Sequence, residues 1–330
     1  METYISIIIP NYNGSATIGR CLAAASSSRY APFEIVVVDD SSTDDSAEII
    51  GRYPCRLIRL NKRSGASSAR NAGARNSTGG ILFFIDSDCL IQVDTLAILK
   101  TAFDRHDRST TVLGGTYTAL PDDNDFFSTF QSIFVSYFET KEREPDYLAT
   151  HALAIDSAVF KKSGGFSEDF FPILEDVEFS HRLRRAGYRL VMDPRILVRH
   201  VFRFTLLKSL RNAFRKSMFW TLYSLRAGDL LSDSGTASRE LKINGLSFVL
   251  IISFVAVFLF SRERLLLLLV PLTCLINAAV NRGLVSAFSR ARGSFFALVA
   301  TAYYVLLYPL PVLAGAIVAV MRHFLRGVRI

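Results

Sequence analysis

The sequence predicts an α/β domain built on a mainly parallel sheet, followed by an α-helical membrane region. Three observations carry that expectation. Short β-branched or aromatic runs alternate with helix-length stretches over roughly the first 200 residues, polar residues gather at the C-terminal ends of those runs, and three long apolar blocks flanked by arginine fill the last third. Strands that are apolar throughout and alternate with helices are covered on both faces, as in a doubly wound parallel sheet.

Taken in order, the strands are YISIIIP (Tyr4–Pro10), EIVVVDD (Glu34–Asp40), RLIRL (Arg56–Leu60) and ILFFIDSD (Ile81–Asp88). Helices are expected over Ser15–Ala25, Ser42–Tyr53 and Ser67–Asn76, with Ser42 and Asp45 suiting a capping-box start. Further on, FPIL (Phe171–Leu174) leads into a helix ending at Gly187, and RILV (Arg195–Val198) reads as a strand. Ligands of open α/β sheets bind beyond the carboxyl ends of the strands. Those ends carry Asn11, Asn13, Asp39, Asp40, Asp86 and Asp88.

Charge divides the chain. Residues 1–194 hold 20 Lys and Arg against 26 Asp and Glu, whereas residues 195–330 hold 18 against 4. The basic part coincides with the apolar blocks, and no RNA- or DNA-reading motif accompanies it, so a membrane is expected and a nucleic-acid partner is not. Cys21, Cys55, Cys89 and Cys274 lie far apart without a CxxC pair, which argues against a zinc ribbon or a disulfide framework and for a reduced, cytosol-facing main domain. The N-terminal apolar run, IIIP, is too short for a signal peptide.

In FFIDSDC (Phe83–Cys89), Asp86 and Asp88 interrupt an apolar run. Two carboxylates one residue apart at a strand end can reach a hard divalent cation, and such a cation can bridge a diphosphate. A DxD triplet alone equally suits acids that end a strand and cap a turn. GxGxxG and GxxxxGK[ST] loops are both absent, so neither a dinucleotide site nor a P-loop explains phosphate chemistry here.

SIIIPNYN (Ser6–Asn13), EIVVVDDSSTDDS (Glu34–Ser46), SGASSARNAG (Ser64–Gly73), FFIDSD (Phe83–Asp88), GGF (Gly164–Phe166) and EDVEFSHRLRRAG (Glu175–Gly187) follow one another in an order that resembles the family 2 glycosyltransferases of GT-A fold. The resemblance covers roughly residues 4–202 and implies a Rossmann-like, mainly parallel domain using a nucleotide-sugar donor with Mg²⁺ or Mn²⁺. It implies that Pro10, Asn11, Tyr12, Asn13, Asp39, Asp40, Arg70, Asn71 and Asp86 bind the donor. Asp39 would meet the base, Arg70 the diphosphate and Asp86 the ribose or, through water, the metal. Asp88, Asp86 and His200 would be the metal ligands. Asp176, with Glu175 beside it, would be the catalytic base of an inverting transfer. Each role has a plainer counterpart: Asp39 and Asp40 as caps of the next helix, Arg70 as a surface arginine, Glu175 and Asp176 as acids favoured by the helix dipole, and Glu178 with Arg182 as a surface pair. One departure from the family pattern is ATHALAID (Ala149–Asp156), read as a glycine-free loop that leaves the role of His151 open.

From Val201 to Leu225, Leu207, Leu210, Phe214 and Met218 recur at helical spacing with Lys208, Arg211, Arg215 and Lys216 nearby, which reads as an in-plane interfacial helix. A linker, Gly228–Glu240, leads to apolar blocks at Gly245–Phe260, Leu265–Val280 and Phe295–Met321. Domains are therefore expected at 1–202 (catalytic), 203–242 (interfacial helix and linker) and 243–330 (transmembrane helices and basic tail). The expected topology keeps the catalytic domain cytosolic, SRER (Ser261–Arg264) outside and NRGLVSAFSRARGS (Asn281–Ser294) inside, as the positive-inside rule prefers. The third block is read as one kinked crossing, with a re-entrant hairpin at Pro309 and Pro311 as the alternative. The whole reads as an integral membrane, metal-dependent hexosyltransferase of cell-envelope polysaccharide biosynthesis acting on a lipid-linked or glycan acceptor. The alternatives are a catalytically silent scaffold and a processive synthase, the latter disfavoured because RKSMFW (Arg215–Trp220) lacks a QxxRW pattern.

Overall fold

The computed structural model describes residues 3–169, 173–230 and 232–325. The chain divides into two compact units, 1–203 and 204–330.

The first unit runs β1 (Ile5–Asn11), α1 (Ile18–Ser26), β2 (Phe33–Asp39), α2 (Ser46–Ile50), β3 (Arg56–Arg59), α3 (Ala66–Arg75), β4 (Ile81–Phe84), β5 (Cys89–Ile91), α4 (Thr95–Phe103), β6 (Thr111–Tyr117), α5 (Phe126–Glu139), β7 (Leu153–Asp156), α6 (Ser157–Lys162), α7 (Glu175–Arg185) and β8 (Arg189–His200). Among the described residues the strands form one sheet in the order β3-β2-β1-β4-β7-β6-β8-β5. β1 pairs in parallel with β2 and β4, β2 with β3, and β6 with β8, while β7 is antiparallel to β4 and β6, and β5 is antiparallel to β8. The mainly parallel α/β fold is thus as the sequence predicts. Because six strands share one direction, Asn11, Asp39, Tyr117 and His200 end on the same edge, where the chain leaving β4 carries Asp86.

The core explains why the strands are apolar throughout. Ile7, Ile8 and Ile9 of β1 are all 0 % exposed, so both sheet faces are covered. On one face Ile8, Phe84, Phe160, Phe166, Phe179 and Leu183 join a single cluster. On the same face, since Ile8 is paired with Val36, Ala69 and Ala72 bring α3 close to Val36 and Val38.

Several local expectations are corrected. The strand expected over Ile81–Asp88 stops at Phe84, and a turn closed by the Cys89 amide donating to the Asp86 carbonyl at 3.0 Å carries the acidic pair into β5. Ser42 opens no helix: α2 starts at Ser46, and the Ser42 hydroxyl instead accepts from Asn11 Nδ2 at 3.2 Å and the Asn13 amide at 2.9 Å. ATHALAID is not a loop. After a short 3₁₀ turn at Thr150–Ala152 it becomes β7, buried between β4 and β6. Between β6 and β7, where the sequence reading names no helix, lies the 14-residue helix α5, capped by Asp125 accepting from the Ser128 amide. The FPIL segment falls partly outside the described residues.

The second unit holds α8 (Leu206–Ala227), α9 (Arg239–Ser261), α10 (Leu265–Val280), α11 (Arg282–Leu306) and α12 (Pro309–Leu325). It has no division at residue 242: α8 belongs with the apolar helices, packed along α12, where Ser217 Oγ donates to the Val312 carbonyl at 2.7 Å. Among the described residues, two stretches are long and apolar enough to cross a membrane, Arg239–Ser261 and the composite Arg282–Leu325. Only 17 % and 28 % of their most apolar windows are buried, unlike the core helices of a soluble domain. The Asn281–Ser294 segment is helical up to a break at Gly293 (φ 83°), and Phe295–Met321 is not one helix, because the chain breaks between Leu306 and Pro309. Asn277 Nδ2 donates to Asn244 Oδ1 at 2.8 Å, and Asn244 Nδ2 to the Tyr304 carbonyl at 2.8 Å, tying α9, α10 and α11 together where an unpaired amide would be costly. The tail beyond Leu325, including Arg326 and Arg329, lies outside the described residues.

Gly115 tests the sheet's tightest approach. A Cβ there would lie 2.2 Å from the Ile196 carbonyl oxygen, in the irregular β6–β8 register. Gly115→Ala is expected to lower stability by roughly 1–3 kcal/mol through backbone displacement. Gly80→Ala, whose Cβ meets only the far end of the Arg108 side chain at 3.1 Å, serves as the control in thermal unfolding of the full chain.

Candidate active site

The ends of β1 and β2 are stitched together by their own polar side chains. Asp39 is fully buried; its Oδ1 accepts from Asn11 Nδ2 at 3.0 Å and its Oδ2 from the Ser42 amide at 3.2 Å. Asn13, at φ 50°, accepts from the Thr43 amide at 2.8 Å. Asp40 does not cap the next helix. It clasps the entry to α3, accepting from the Ser64 amide at 2.7 Å and the Gly65 amide at 2.8 Å. Pro10 lies within β1, and Tyr12 is 39 % exposed with the Arg63 guanidinium 4.2 Å from its ring centroid. Of the residues expected to bind the donor in this region, Tyr12 is the exposed large one, and the others fix the shape of the loops.

Arg70 is no surface arginine. Its side chain is 4 % exposed, with one arm donating to Asp86 Oδ1 at 2.7 Å and the other to Glu175 Oε1 at 2.6 Å. The fork therefore engages two carboxylates instead of lying open to a diphosphate. It ties α3, the β4–β5 turn and the start of α7 together. Burial alone would lower the Arg70 pKa, but the charges of Asp86 and Glu175 more than offset it and raise it.

Asn71 is likewise turned inward. It donates to the Phe166 carbonyl at 2.8 Å and to Glu168 Oε1 at 2.8 Å, and accepts from the Phe166 amide at 2.9 Å. It holds the GGF turn, where Gly164 and Gly165 have φ of 80° and 71° and a Cβ on Gly165 would sit 2.6 Å from Asn71 Oδ1. Arg182 makes the anticipated pair with Glu178 at 2.9 Å and also donates to the Gly165 carbonyl at 2.6 Å, so it too supports this turn.

The acidic turn is polarised. Burial works to raise the Asp86 pKa, but the Arg70 charge outweighs it, aided by His151 and His200, and holds Asp86 low. Asp88 goes the other way, pushed up to about 7 by desolvation and then by the Asp86 charge, although 38 % of its side chain stays open. His200 Nε2 lies 3.4 Å from Asp88 Oδ1, and its ring stacks on Phe202 with centroids 3.8 Å apart. Burial pushes the neighbouring Cys21 and Cys89 thiols upward, reinforced by the two aspartates. A carboxylate beside an imidazole, next to a second acid already neutralised by arginine, is a donor set that fits a divalent cation. Asp176 is half-buried in the first turn of α7, beside Glu175, which is engaged by Arg70.

Glu139 and Glu168 were not foreseen, whereas His151 was singled out with its role open. His151 is 6 % exposed; its Nε2 lies 3.2 Å from Glu139 Oε2 and its ring stacks on Tyr117 at 4.0 Å, while Tyr117 also meets His200 edge-on at 5.0 Å. A lone acid closing the apolar α5 sequence was the available signal for Glu139. Glu168, which accepts from Ser68 at 2.6 Å, had none.

Residues 6–163 match the family model described as glycosyl transferase family 2. The chain is 37 % identical over 93 residues to glycosyltransferase AglE of Haloferax volcanii, a match covering 26 % of this chain and 31 % of that protein. It is 32 % identical over 143 residues to glycosyltransferase GlyA of Streptococcus pneumoniae, covering 42 % and 20 %. It is 28 % identical over 227 residues to validoxylamine A glucosyltransferase of Streptomyces hygroscopicus subsp. limoneus, covering 57 % and 49 %. The matches thus span between a fifth and about half of these curated relatives. Among solved structures, a mannosyltransferase from Pyrobaculum calidifontis in complex with GDP-Man and Mn²⁺ superposes with a TM-score of 0.58 at 17 % identity, over 98 % of this chain and 87 % of that one. S. aureus TarS 1–349 does so with a TM-score of 0.50 at 18 % identity, over 98 % and 92 %. At such identities the likeness shows the fold.

Arg70→Met would leave Asp86 and Glu175 unpaired. Removing one member of a buried ion pair costs roughly 3–5 kcal/mol, and the 34 % exposure of the Asp86 side chain places this case at the lower end. Chemical denaturation of the full chain measures it, with Arg75→Met, at an exposed arginine, as the reference.

Proposed function

We propose, from the premise that residues 6–163 are a family 2 glycosyltransferase domain, that the chain is a membrane-anchored, metal-dependent, inverting hexosyltransferase. Its donor is a UDP- or GDP-sugar, and its acceptor is a lipid-linked or cell-surface glycan. The observation that carries this reading is the meeting at one sheet edge of the Asp88–His200 pair with the Arg70 bridge, which fixes the start of the Asp176 helix beside the acidic turn. The nucleotide-sugar and Mn²⁺ bound by the P. calidifontis enzyme of like fold support the same assignment.

In this reading Asp88 and His200 hold Mg²⁺ or Mn²⁺. The cation, when bound, supplies charge neutralisation for the nucleoside diphosphate. Asp86, held ionised by Arg70, faces the ribose. Tyr12 offers an exposed ring to the base, and Asp39, through Asn11 and Ser42, keeps the base pocket in shape. Asp176 accepts the proton of the acceptor hydroxyl at its carboxylate, opposite the leaving group. Glu175, pinned by Arg70, sets the position of the α7 N-terminus.

The test is nucleotide release by the full-length chain in detergent, across a panel of UDP- and GDP-sugars with Mn²⁺. Turnover is expected to vanish in EDTA, return with Mn²⁺, and be absent in Asp88→Asn. Asp176→Asn is expected to lose ~10²-fold or more in turnover while donor affinity changes little. Full activity in EDTA overturns the metal role. An equal loss of donor binding makes Asp176 a donor or structural residue, and silence with every donor favours a scaffold.

Anchoring is proposed through α9, which exits the cytosolic face, and α10, which returns. Exposed apolar side chains such as Phe260, 92 %, and Leu265, 71 %, would face lipid. The chain is broken at Gly293, just before the third block, and again between Leu306 and Pro309, and we read the block as a re-entrant pair held at the cytosolic side and not as a third straight crossing. In intact cells carrying Cys274→Ser, a cysteine at Glu263 is expected to react with an impermeant thiol reagent. Protection until lysis overturns this topology.

A further inference from the structure

We propose that Asp88, Cys89 and His200 form a three-donor site for a borderline, thiophilic divalent cation of the Zn²⁺ type, with the Cys89 sulfur as a direct ligand. The proposal rests on the reading of Asp88 and His200 as metal ligands and adds a donor which that reading does not use.

Backbone pairing carries the first part of the argument. β5 and β8 are antiparallel with Cys89 directly opposite His200, and the Val201 amide donates to the Asp88 carbonyl at 2.9 Å. The sheet register itself therefore places thiol and imidazole side by side, because directly opposed residues project to the same face. The donor atoms agree. His200 Nε2 lies 3.4 Å and Cys89 Sγ 3.8 Å from Asp88 Oδ1, and all three atoms lie within 4.8 Å of one another. Zinc bonds of about 2.0 Å to N or O and about 2.3 Å to S, at tetrahedral angles, hold donors roughly 3.3–3.6 Å apart. Two of the spacings are already close to that, and a small inward movement supplies the third.

The surroundings favour a formed site over a collapsing one. Cys89 is 0 % exposed, and the His200 ring is stacked on Phe202 and met edge-on by Tyr117, so these two donors are held in place. The open part of Asp88 leaves an entry path and a fourth position for water or a substrate oxygen. Thiolate selects zinc-like ions over the hard ions that carboxylate and water prefer. Binding replaces a proton: Cys89–SH and the cation give a metal–sulfur bond, and one proton leaves to solvent. The cation then occupies Asp88 and His200 and excludes Mn²⁺ from them.

The experiment uses the full-length chain in detergent, stripped with EDTA, with Co²⁺ as the spectroscopic probe. One equivalent of Co²⁺ is expected to give a thiolate-to-metal charge-transfer band in the near ultraviolet, which Zn²⁺ abolishes on addition and which Cys89→Ser lacks. Zn²⁺ affinity is expected to fall in Cys89→Ser by at least the about 10–100-fold that even an outer-shell partner supplies. Wild type that binds Co²⁺ without the band, or Cys89→Ser that binds Zn²⁺ as tightly as wild type, overturns the proposal. So does a band that persists in Cys89→Ser, since its sulfur then belongs to Cys21, Cys55 or Cys274. Should Cys89→Ser not fold, the wild-type spectrum and Cys89→Ala decide the question. Mn²⁺-dependent nucleotide release by wild type, measured in parallel, tests the glycosyltransferase reading separately, because the spectrum does not depend on turnover.

Discussion

A guanidinium buried between two carboxylates governs the geometry of this site. Arg70 reaches Asp86 with one arm and Glu175 with the other, and these two residues belong to segments 89 positions apart in the chain. An ammonium could donate to both but only as a point charge without fixed direction, whereas the planar fork fixes both distances and their relative angle. The α3 helix that carries Arg70 is in turn fixed at its entry by Asp40 and beside its middle by Asn71, which grips the GGF turn. The position of Asp176 on α7 is thus set through Glu175 by a residue that was itself expected to touch the diphosphate.

The sheet supplies what this bridge organises. With β1, β2, β4, β6 and β8 running the same way, the polar ends of strands far apart in sequence arrive at one edge. Two reversed strands complete the arrangement. β7 fills the centre between β4 and β6, and β5 brings the residue after the acidic turn back against the end of β8. His200 therefore meets Asp88 because a short antiparallel strand returns the chain to it.

The parallel half of this design was legible in the sequence, since continuous apolar runs ending in Asn or Asp suit strands covered on both faces and little else. The resemblance then pointed to the acidic turn, the ARN block and the ED helix through the order of the motifs. The directions of individual side chains were not legible. Ser42, Asp40, Arg70 and Asn71 all carry polar groups that suit either a ligand or a neighbouring loop, and which one wins depends on tertiary distances that no local pattern encodes. β7 escaped because a four-residue strand with Leu153, Ala154 and Ile155 all buried leaves no alternation to detect, and its Thr-His-Ala approach reads as loop. α5 escaped because its aromatic-rich sequence suits strand and helix alike. In the second unit the apolar blocks were visible, but the break before Pro309 was underestimated. A proline at the first position of a helix needs no amide donor, so it starts α12 readily and does not bend a continuous one.

Charge at the site bears on the order in which ligands can enter. Asp86, Asp88, Glu175 and Asp176 gather around the acidic turn and the start of α7, and the Arg70 cation is already engaged by two of the four, Asp86 and Glu175. The raised pKa of Asp88 expresses the same imbalance, since a second carboxylate beside Asp86 keeps its charge poorly in a desolvated turn. A nucleoside diphosphate brings further negative charge, and like charges a few ångströms apart in a medium less polarisable than water repel by several kcal/mol at an effective dielectric of about 20. Under the proposed function, such a surface would disfavour a diphosphate alone, and donor and divalent cation are expected to arrive together or the cation first.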